Sequence, residues 1–252
     1  MLESFIIAFS MYSKLPMPRV EWSQKGMRYS MCFFPLVGCV IGACSVGLFY
    51  GLHILNISCF FVAAILTVLP VLLNGGIHMD GFLDTVDARR SYKSKEEKLE
   101  ILKDPHTGAF AIIYGIVYLL LTFGAFCDVE AGTILMVAMG YGYSRILSGL
   151  SVVCFPKAKA DGTVAAFADA AQKRVKWILF VELVLCTAGS LCIHPVMGAA
   201  CILVSGLVFL YYRWMAMEQF GGITGDLAGY FLQMCELFWL LTTVITWRII
   251  HL

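Results

Sequence analysis

Long apolar stretches separated by shorter polar ones dominate the chain. Each of seven apolar stretches is near the roughly 20 residues that a helix needs to cross the hydrocarbon core of a bilayer. The pattern therefore predicts an all-α protein, a polytopic integral membrane helical bundle with about seven transmembrane helices, built as a single membrane-embedded domain over residues 1–252. The seven stretches cover residues 29–50, 57–73, 109–127, 131–154, 176–193, 195–213 and 230–250.

The segment before the first stretch is apolar but too short to span. Only ten residues separate Glu3 from Lys14, and a helix of that length reaches about 15 Å, half of a bilayer. Pro16 and Pro18 should end it. We expect a short N-terminal interfacial or re-entrant helix, which serves either as a flap over a cytoplasmic site or as a membrane anchor.

Composition agrees with a membrane protein. Hydrophobic residues make up 60% of the chain and charged residues 14%, with a mean hydropathy of +0.83. The ten cysteines are scattered without C-x-x-C spacing, so neither a disulfide framework nor a zinc site is expected. A net charge of +1 gives no reason to expect a nucleic-acid partner.

Lysine and arginine are distributed unequally between the two predicted sides. If the apolar stretches cross in alternation, Arg248 alone among the 18 basic residues lies on the opposite side from the others. Because the side rich in basic residues is the cytoplasmic one, we expect a multi-pass protein of the cytoplasmic (inner) membrane. Its polar loops, at about 74–108, 155–175 and 214–229, should then face the cytoplasm.

The longest polar segment, residues 74–110, contains a row of carboxylates. Asp80, Asp84 and Asp87 have i, i+4 and i+7 spacing, which places them within about 60° of one another on a helix. Like charges at this spacing repel each other, so a compensating cation is expected. Carboxylate oxygens are hard ligands, which favours Mg²⁺ or Mn²⁺.

Other residues of this segment suit an anionic ligand beside the metal. Gly75 and Gly76 allow close approach of a ligand to the backbone, and basic residues such as Arg90 and Lys103 follow the acids. Asp104 either joins the metal face or caps the next helix. The segment therefore predicts a site for a metal-bridged phosphate ester.

A second part of this site is predicted near the carboxyl terminus. Residues 75–80 and residues 221–226 both read Gly-Gly-Ile-x-x-Asp, and both lie between an apolar stretch and a new helix. We expect Asp80 and Asp226 to be two halves of one split metal or phosphate site. Asp161, which lies among five basic residues, predicts a second phosphate-facing loop, with a solvated connector as the alternative.

Arg145 is unusual because it lies within an apolar stretch. A charge at membrane depth must reach the interface or find an anion, and it is a functional candidate by default. Its partner is expected to be either a substrate anion or Glu236, which lies deep in the last stretch.

These motifs resemble those of a known family, the cobalamin synthases or adenosylcobinamide-GDP ribazoletransferases. The resemblance extends over nearly the full chain. It rests on GGIHMDGFLDTVD at 75–87, LEILKD at 99–104 with GAF at 108–110, Ser144-Arg145, Asp161-Gly162, GGITGD at 221–226 and KLPMP at 14–18.

The resemblance implies an Mg²⁺-dependent phosphotransferase. It would join α-ribazole, or α-ribazole 5′-phosphate, to adenosylcobinamide-GDP with release of GMP, completing the nucleotide loop of adenosylcobalamin (vitamin B12). The lipid bilayer would surround it, other enzymes of cobalamin biosynthesis are plausible partners, and a homo-oligomer is an open alternative.

The resemblance also implies roles for individual residues. Five carboxylates would hold one or two Mg²⁺ ions, and His78 would contact a substrate phosphate, because neutral imidazole is a poor Mg²⁺ ligand. A free 5′-hydroxyl acceptor would need Asp84 or Asp87 as general base. The metal set is Asp80, Asp84, Asp87, Asp104 and Asp226, and the diphosphate would be stabilised by Lys103, Arg145 and Arg90.

Two other functions are compatible with spaced aspartates. CDP-alcohol phosphatidyltransferases carry such residues, but their D-G-x-x-A-R…G…D…D spacing is absent here. A cation-coupled membrane transporter would place aspartates near the bilayer midplane. Asp80 and Asp226 instead lie at predicted membrane edges, which favours the transferase.

Overall fold

The structure, a computed structural model, describes all 252 residues and consists of twelve α-helices. Its only β-type pairing is a single bridge between Lys157 and Ile223. The helices are α1 (Leu2–Tyr12), α2 (Gln24–Met27), α3 (Ser30–Ile54), α4 (Cys59–Asn74), α5 (Ile77–Arg90), α6 (Lys95–Ile101), α7 (Ala109–Cys127), α8 (Ile134–Cys154), α9 (Thr163–Ala170), α10 (Lys173–Ile193), α11 (Pro195–Phe220) and α12 (Gly225–Ile250).

The predicted polytopic helical bundle is confirmed, with fewer clear spans than expected. All seven predicted stretches form helices, namely α3, α4, α7, α8, α10, α11 and α12. Five helices, α3, α7, α10, α11 and α12, are long and apolar enough to cross a membrane. The pair α4 and α5, bent by 94°, is a sixth candidate. Because α5 carries five charged residues, we treat α4 as the spanning half and α5 as lying outside the spanning segments.

Helix α8 partly explains why fewer helices qualify as membrane spans than the seven predicted. It contains Gly, Tyr, Ser and Arg in its middle, and it is not among the helices that qualify by length and hydropathy. It packs against α3, α10 and α12, and 15 of its 21 residues are buried. Since its neighbours are other helices of the bundle, its composition need not match hydrocarbon.

The three predicted polar loops meet at one end of the bundle. The bridge between Lys157 and Ile223 joins the second loop to the third. The Lys159 Nζ donates to the Leu99 carbonyl at 3.1 Å, which joins the second loop to the first. At the other end of α12, Arg248 pairs with Asp128 and with Glu130. Charged groups that the sequence assigned to opposite sides therefore lie at opposite ends of α12.

The amino-terminal helix is present and ends before the two prolines. α1 has 11 residues, packs against α3, and is tied to the next segment by a hydrogen bond from the Ser4 hydroxyl to the Gly26 carbonyl. The following chain returns toward α4, where the Lys14 amide donates to the Leu73 carbonyl. This path brings the carboxyl end of α1 next to the corner between α4 and α5.

Candidate active site

The corner between α4 and α5 is made by the first Gly-Gly pair. Gly75 and Gly76 have φ values of +66° and +81°, a region that residues with a Cβ rarely adopt. This left-handed turn ends α4 and lets α5 leave at 94°. As a result, α5 begins at Ile77 and runs across the end of the bundle with Asp80 in its first turn.

The second Gly-Gly pair makes an equivalent corner between α11 and α12. Gly221 ends α11 with a φ of +75°, and Thr224 caps α12 by accepting a hydrogen bond from the Leu227 amide at 3.3 Å. Asp226 therefore lies in the first turn of α12, as Asp80 lies in the first turn of α5.

The two acidic helix starts are held together by close packing of α5 on α12. A Cβ placed on Gly81 would lie 2.8 Å from the Asp226 backbone, and one on Gly229 would lie 2.9 Å from the His78 carbonyl oxygen. Real side chains do not approach backbone this closely. Because neither glycine has a side chain, the backbones of α5 and α12 can lie against each other at Asp226 and at His78.

We expect Gly81→Ala to reduce activity about tenfold or more, because α5 and α12 would have to separate at Asp226. Gly124→Ala in α7 is the matched control, since a Cβ there meets no atom within 4 Å. The control should keep full activity and equal or slightly higher thermal stability. Steady-state turnover of both purified variants measures the difference, and equal turnover would contradict the packing account.

Asp80 and Asp226 line one cavity, which we term the acidic cavity. It has a volume of about 130 Å³ and lies under the end of α1, where Tyr12 forms part of its wall. His78 and Ser148 also line it. The prediction that the two repeated motifs contribute to one site therefore agrees with where the structure places their aspartates.

A second cavity, the lysine cavity, adjoins the first. It has a volume of about 250 Å³ and is lined by Lys103, Lys159, Asp161 and the start of α12. Asp226 and Thr163 line both cavities, so the two share a wall. Asp80 thus stands on one side of Asp226, and two ammonium groups stand on the other together with Asp161, an arrangement suited to a metal-bound phosphate.

The carboxylates of this site have no cationic partner in the protein. Asp80, Asp84, Asp87 and Asp226 are absent from the ion pairs of the structure. Burial, together with the charges of Asp80, Asp226 and Asp87, raises the pKa of Asp84 to about 6. Uncompensated repulsion of this kind is expected where a bound cation completes the site.

Asp87 also has a structural role that the sequence did not indicate. Its two carboxylate oxygens accept hydrogen bonds from the Gly108 amide at 2.6 Å and the Ala111 amide at 2.8 Å. Asp87 therefore satisfies orphan amides at the start of α7, in the manner of a capping residue. This contact anchors α5 to α7, and each oxygen keeps a lone pair for a further ligand.

The donor set fits an open Mg²⁺ site. No three His, Cys, Asp or Glu side chains are close enough together to enclose an ion by themselves. Mg²⁺ does not need such an enclosure, because it commonly binds one or two carboxylates and completes its octahedron with waters and substrate phosphates. Asp80, Asp84 and Asp226 supply oxygen donors of this type, and none of them forms an ion pair within the protein.

His78 is buried beside the carboxylates. Its ring stacks on Tyr12 at a centroid distance of 5.9 Å, and its Nδ1 has no hydrogen-bond partner. Burial lowers the pKa of His78 to about 3, with a smaller contribution from Arg145, so the imidazole is neutral. A neutral ring that lines the acidic cavity can donate one hydrogen bond to a ligand there.

Three of the predicted phosphate or metal contacts lie elsewhere. Arg145 is fully buried and pairs with Glu236 at 2.6 Å, which is the structural alternative that the sequence left open. Asp104 is exposed and accepts hydrogen bonds from His106. Arg90 lies against Tyr114 and lines a different cavity. The structure does not bring these three to the acidic or lysine cavity.

Sequence reasoning missed the importance of Lys159, Gly81 and Gly229. Lys159 was grouped with other basic residues of its loop, although it precedes the Asp161-Gly162 pair by only two residues. The two glycines lie within helices, where their local sequence gives no sign of a contact between α5 and α12. Only the crossing of the helices reveals why they are glycine.

Known proteins match the chain over most of its length. The family of cobalamin-5-phosphate synthases matches residues 4–244. A protein named adenosylcobinamide-GDP ribazoletransferase from Lachnoclostridium phytofermentans is 49% identical over 237 residues, covering 94% of this chain and 91% of that protein.

More distant relatives carry the same name. Adenosylcobinamide-GDP ribazoletransferases from Clostridium botulinum and Clostridium perfringens are 31% and 30% identical. The matches cover 94% and 91% of this chain and 95% and 92% of those proteins, respectively. No solved structure matches the chain.

Proposed function

This chain belongs to the cobalamin-5-phosphate synthase family, and from that premise we propose that it is an adenosylcobinamide-GDP ribazoletransferase acting at the end of cobalamin biosynthesis. The reaction joins α-ribazole or its 5′-phosphate to adenosylcobinamide-GDP and releases GMP. The observation that carries the site assignment is the meeting of the acidic and lysine cavities at Asp226.

The two cavities offer different groups to the diphosphate. Lys159, and Lys103 on release from its ion pair with Glu100 at 2.7 Å, provide ammonium groups that can bind its oxygens from one side. His78 can donate a hydrogen bond to the same group from the acidic cavity. Tyr12, in the wall formed by α1, limits access of water to the reacting centre.

We propose that Asp80, Asp84 and Asp226 provide the carboxylate ligands for Mg²⁺, one or two to each ion, with Asp87 beside them. When bound, the ion would neutralise charge on the diphosphate and on the departing GMP. The chain's part is to hold these carboxylates close together, and the close packing of α5 on α12 supports this role.

The two forms of the acceptor place different demands on the chain. A 5′-phosphate acceptor is already anionic and needs no base, whereas a free 5′-hydroxyl must lose a proton. Each oxygen of Asp87 already accepts a hydrogen bond from a backbone amide, which leaves it less available to accept a proton. Asp84 is therefore the better candidate for a general base with that acceptor, in which case Asp80 and Asp226 would hold the metal.

We further propose that this site lies at the cytoplasmic face of the inner membrane. The support is the distribution of basic residues, of which Arg248 alone belongs to the opposite end of α12. This end of the bundle also contains the polar segments between α5 and α7 and between α8 and α10. Substrates made in the cytoplasm would then reach the cavities directly.

The reaction is tested by mixing the purified, detergent-solubilised protein with adenosylcobinamide-GDP and α-ribazole 5′-phosphate, with Mg²⁺ or with EDTA. We expect GMP and the joined corrinoid nucleotide to form in equal amounts, and EDTA to reduce both at least about 100-fold. Omission of the acceptor should remove both products. Well-folded protein that forms neither product under any of these conditions would contradict the proposal.

A further inference from the structure

A basic cavity lies on the other side of α5 from the acidic cavity. It has a volume of about 460 Å³ and is lined by the cations Arg89, Arg90 and Lys98, with Tyr114 and Tyr230 among four tyrosines. No carboxylate lines it. Its size is within the range of ligand-binding pockets, and its charge is opposite to that of the acidic cavity.

The three cations have no anionic partner in the protein. None of them forms an ion pair, and the Nε of Arg89 is buried without a hydrogen-bond acceptor. Burial lowers the pKa of Lys98, and the nearby charge of Arg89 adds to that shift. Converging cations without a counterion indicate that an anion from outside the chain completes the cavity.

Tyrosines hold the guanidinium groups in place. Arg89 donates hydrogen bonds to the hydroxyls of Tyr230 and Tyr211, and its guanidinium lies 5.4 Å from the ring centre of Tyr230. Arg90 donates to the Tyr114 hydroxyl and lies over its ring at 4.8 Å. The cations are therefore ordered before a ligand arrives, which lowers the entropy lost on binding.

An anion bound at Arg89 lies on the face of α5 opposite Asp80. Helix residues advance by about 100° each, so Phe82, Val86 and Arg89 lie roughly 180–240° around α5 from Asp80. A phosphate bound by Arg89 would have the body of α5 between it and Asp80. It would be out of reach of the carboxylates that we assign to Mg²⁺.

The cavity opens onto an apolar face of α12. Below Tyr230, this face continues as Met234, Phe238, Leu241 and Ile245, with i, i+4, i+7 and i+11 spacing. Phe238 and Ile245 are 38% and 55% exposed, and the other two are half-buried. Helices α7 and α11 both pack against α12, and their own outward residues are apolar.

We propose that the basic cavity binds the headgroup of an anionic phospholipid whose acyl chains lie along this face of α12. The phosphate would meet Arg89, Arg90 and Lys98, and the tyrosine rings would border the headgroup region. A soluble nucleotide offers the same phosphate, but it has nothing to place against the apolar face.

The test compares thermal unfolding of the detergent-solubilised full chain with phosphatidylglycerol and with phosphatidylcholine of the same acyl composition. We expect phosphatidylglycerol to raise the unfolding midpoint several degrees more than phosphatidylcholine. Arg90→Gln, at an exposed position, should remove at least half of this difference, and Lys98→Gln should do the same. Arg174→Gln, an exposed and unpaired arginine at the start of α10, is the matched control and should retain it.

Native mass spectrometry of the same samples provides the second measurement. Phosphatidylglycerol should remain bound to wild-type protein and to the Arg174→Gln variant, and be depleted in the Arg90→Gln variant. Equal stabilisation by the two lipids, or an unchanged response of Arg90→Gln and Lys98→Gln, would overturn the proposal. Stabilisation by GMP that depends on Arg90, without any from phosphatidylglycerol, would overturn it in favour of a nucleotide.

Discussion

Asp84→Asn is expected to lower the rate of GMP release by about 1,000-fold while raising the thermal stability of the Mg²⁺-free protein. The rate falls because the amide does not provide the negative charge that binds Mg²⁺, a loss of roughly 4 kcal/mol of transition-state stabilisation. The stability rises because the folded-state pKa of Asp84, about 6, lies above its ordinary value of 3.8. The ionised carboxylate therefore destabilises the fold above pH 6, and this effect fades as the pH falls toward 4.

The size of the stability gain is limited by solvent. Asp84 is partly exposed, so screening reduces the effect to roughly 1 kcal/mol, or about 2–4 °C in the unfolding midpoint at pH 7.5. Added Mg²⁺ should stabilise the wild type and have less effect on the variant. The matched control is Asp169→Asn, which alters an exposed carboxylate paired with Lys157. A variant that loses stability, or that keeps wild-type turnover, would contradict the role of Asp84.

Arg145→Met is expected to destabilise the protein by about 3–5 kcal/mol, because it leaves Glu236 charged and unpaired in the interior of the bundle. The Arg145 guanidinium also donates to the Tyr141 carbonyl at 2.8 Å, so a second buried acceptor loses its partner. The measured result should be a large drop in folded yield after detergent extraction and in the unfolding midpoint.

A double variant separates a structural role from a catalytic one. Arg145→Met combined with Glu236→Met removes both charges, and replacement of both members of a buried pair is often neutral. We expect the double variant to recover most of the folded yield and at least a tenth of wild-type turnover. A double variant that folds as well as wild type but releases no GMP would show that this ion pair takes part in the reaction.

The helices were predictable because hydropathy is a strong local signal. The boundaries of α7 agree with the predicted stretch at both ends, and those of α4 differ by one or two residues. The burial of α8 within the bundle was not predictable, because the sequence does not show that its polar middle faces α3, α10 and α12 rather than lipid. Burial within a bundle is a property of the whole assembly.

The site was predictable only in its local parts. The repeated Gly-Gly-Ile-x-x-Asp motif indicated that Asp80 and Asp226 belong together, since the same motif after two apolar stretches on the same side favours a shared site. Their separation of 146 residues leaves the actual contact to tertiary packing. Arg145 could not be assigned from sequence, because a substrate anion and Glu236 were equally compatible partners, and only the bundle places Glu236 within 2.6 Å.

The central claim, that the carboxylates at the crossing of α5 and α12 hold the divalent ion, is tested most directly by Mn²⁺ binding. Electron paramagnetic resonance would follow a Mn²⁺ titration of the purified protein with adenosylcobinamide-GDP present, for wild type, Asp84→Asn and Asp226→Asn. The account predicts bound Mn²⁺ in the wild type that Mg²⁺ displaces, and at least about tenfold weaker binding in each variant. Undiminished Mn²⁺ binding by both folded variants would contradict it.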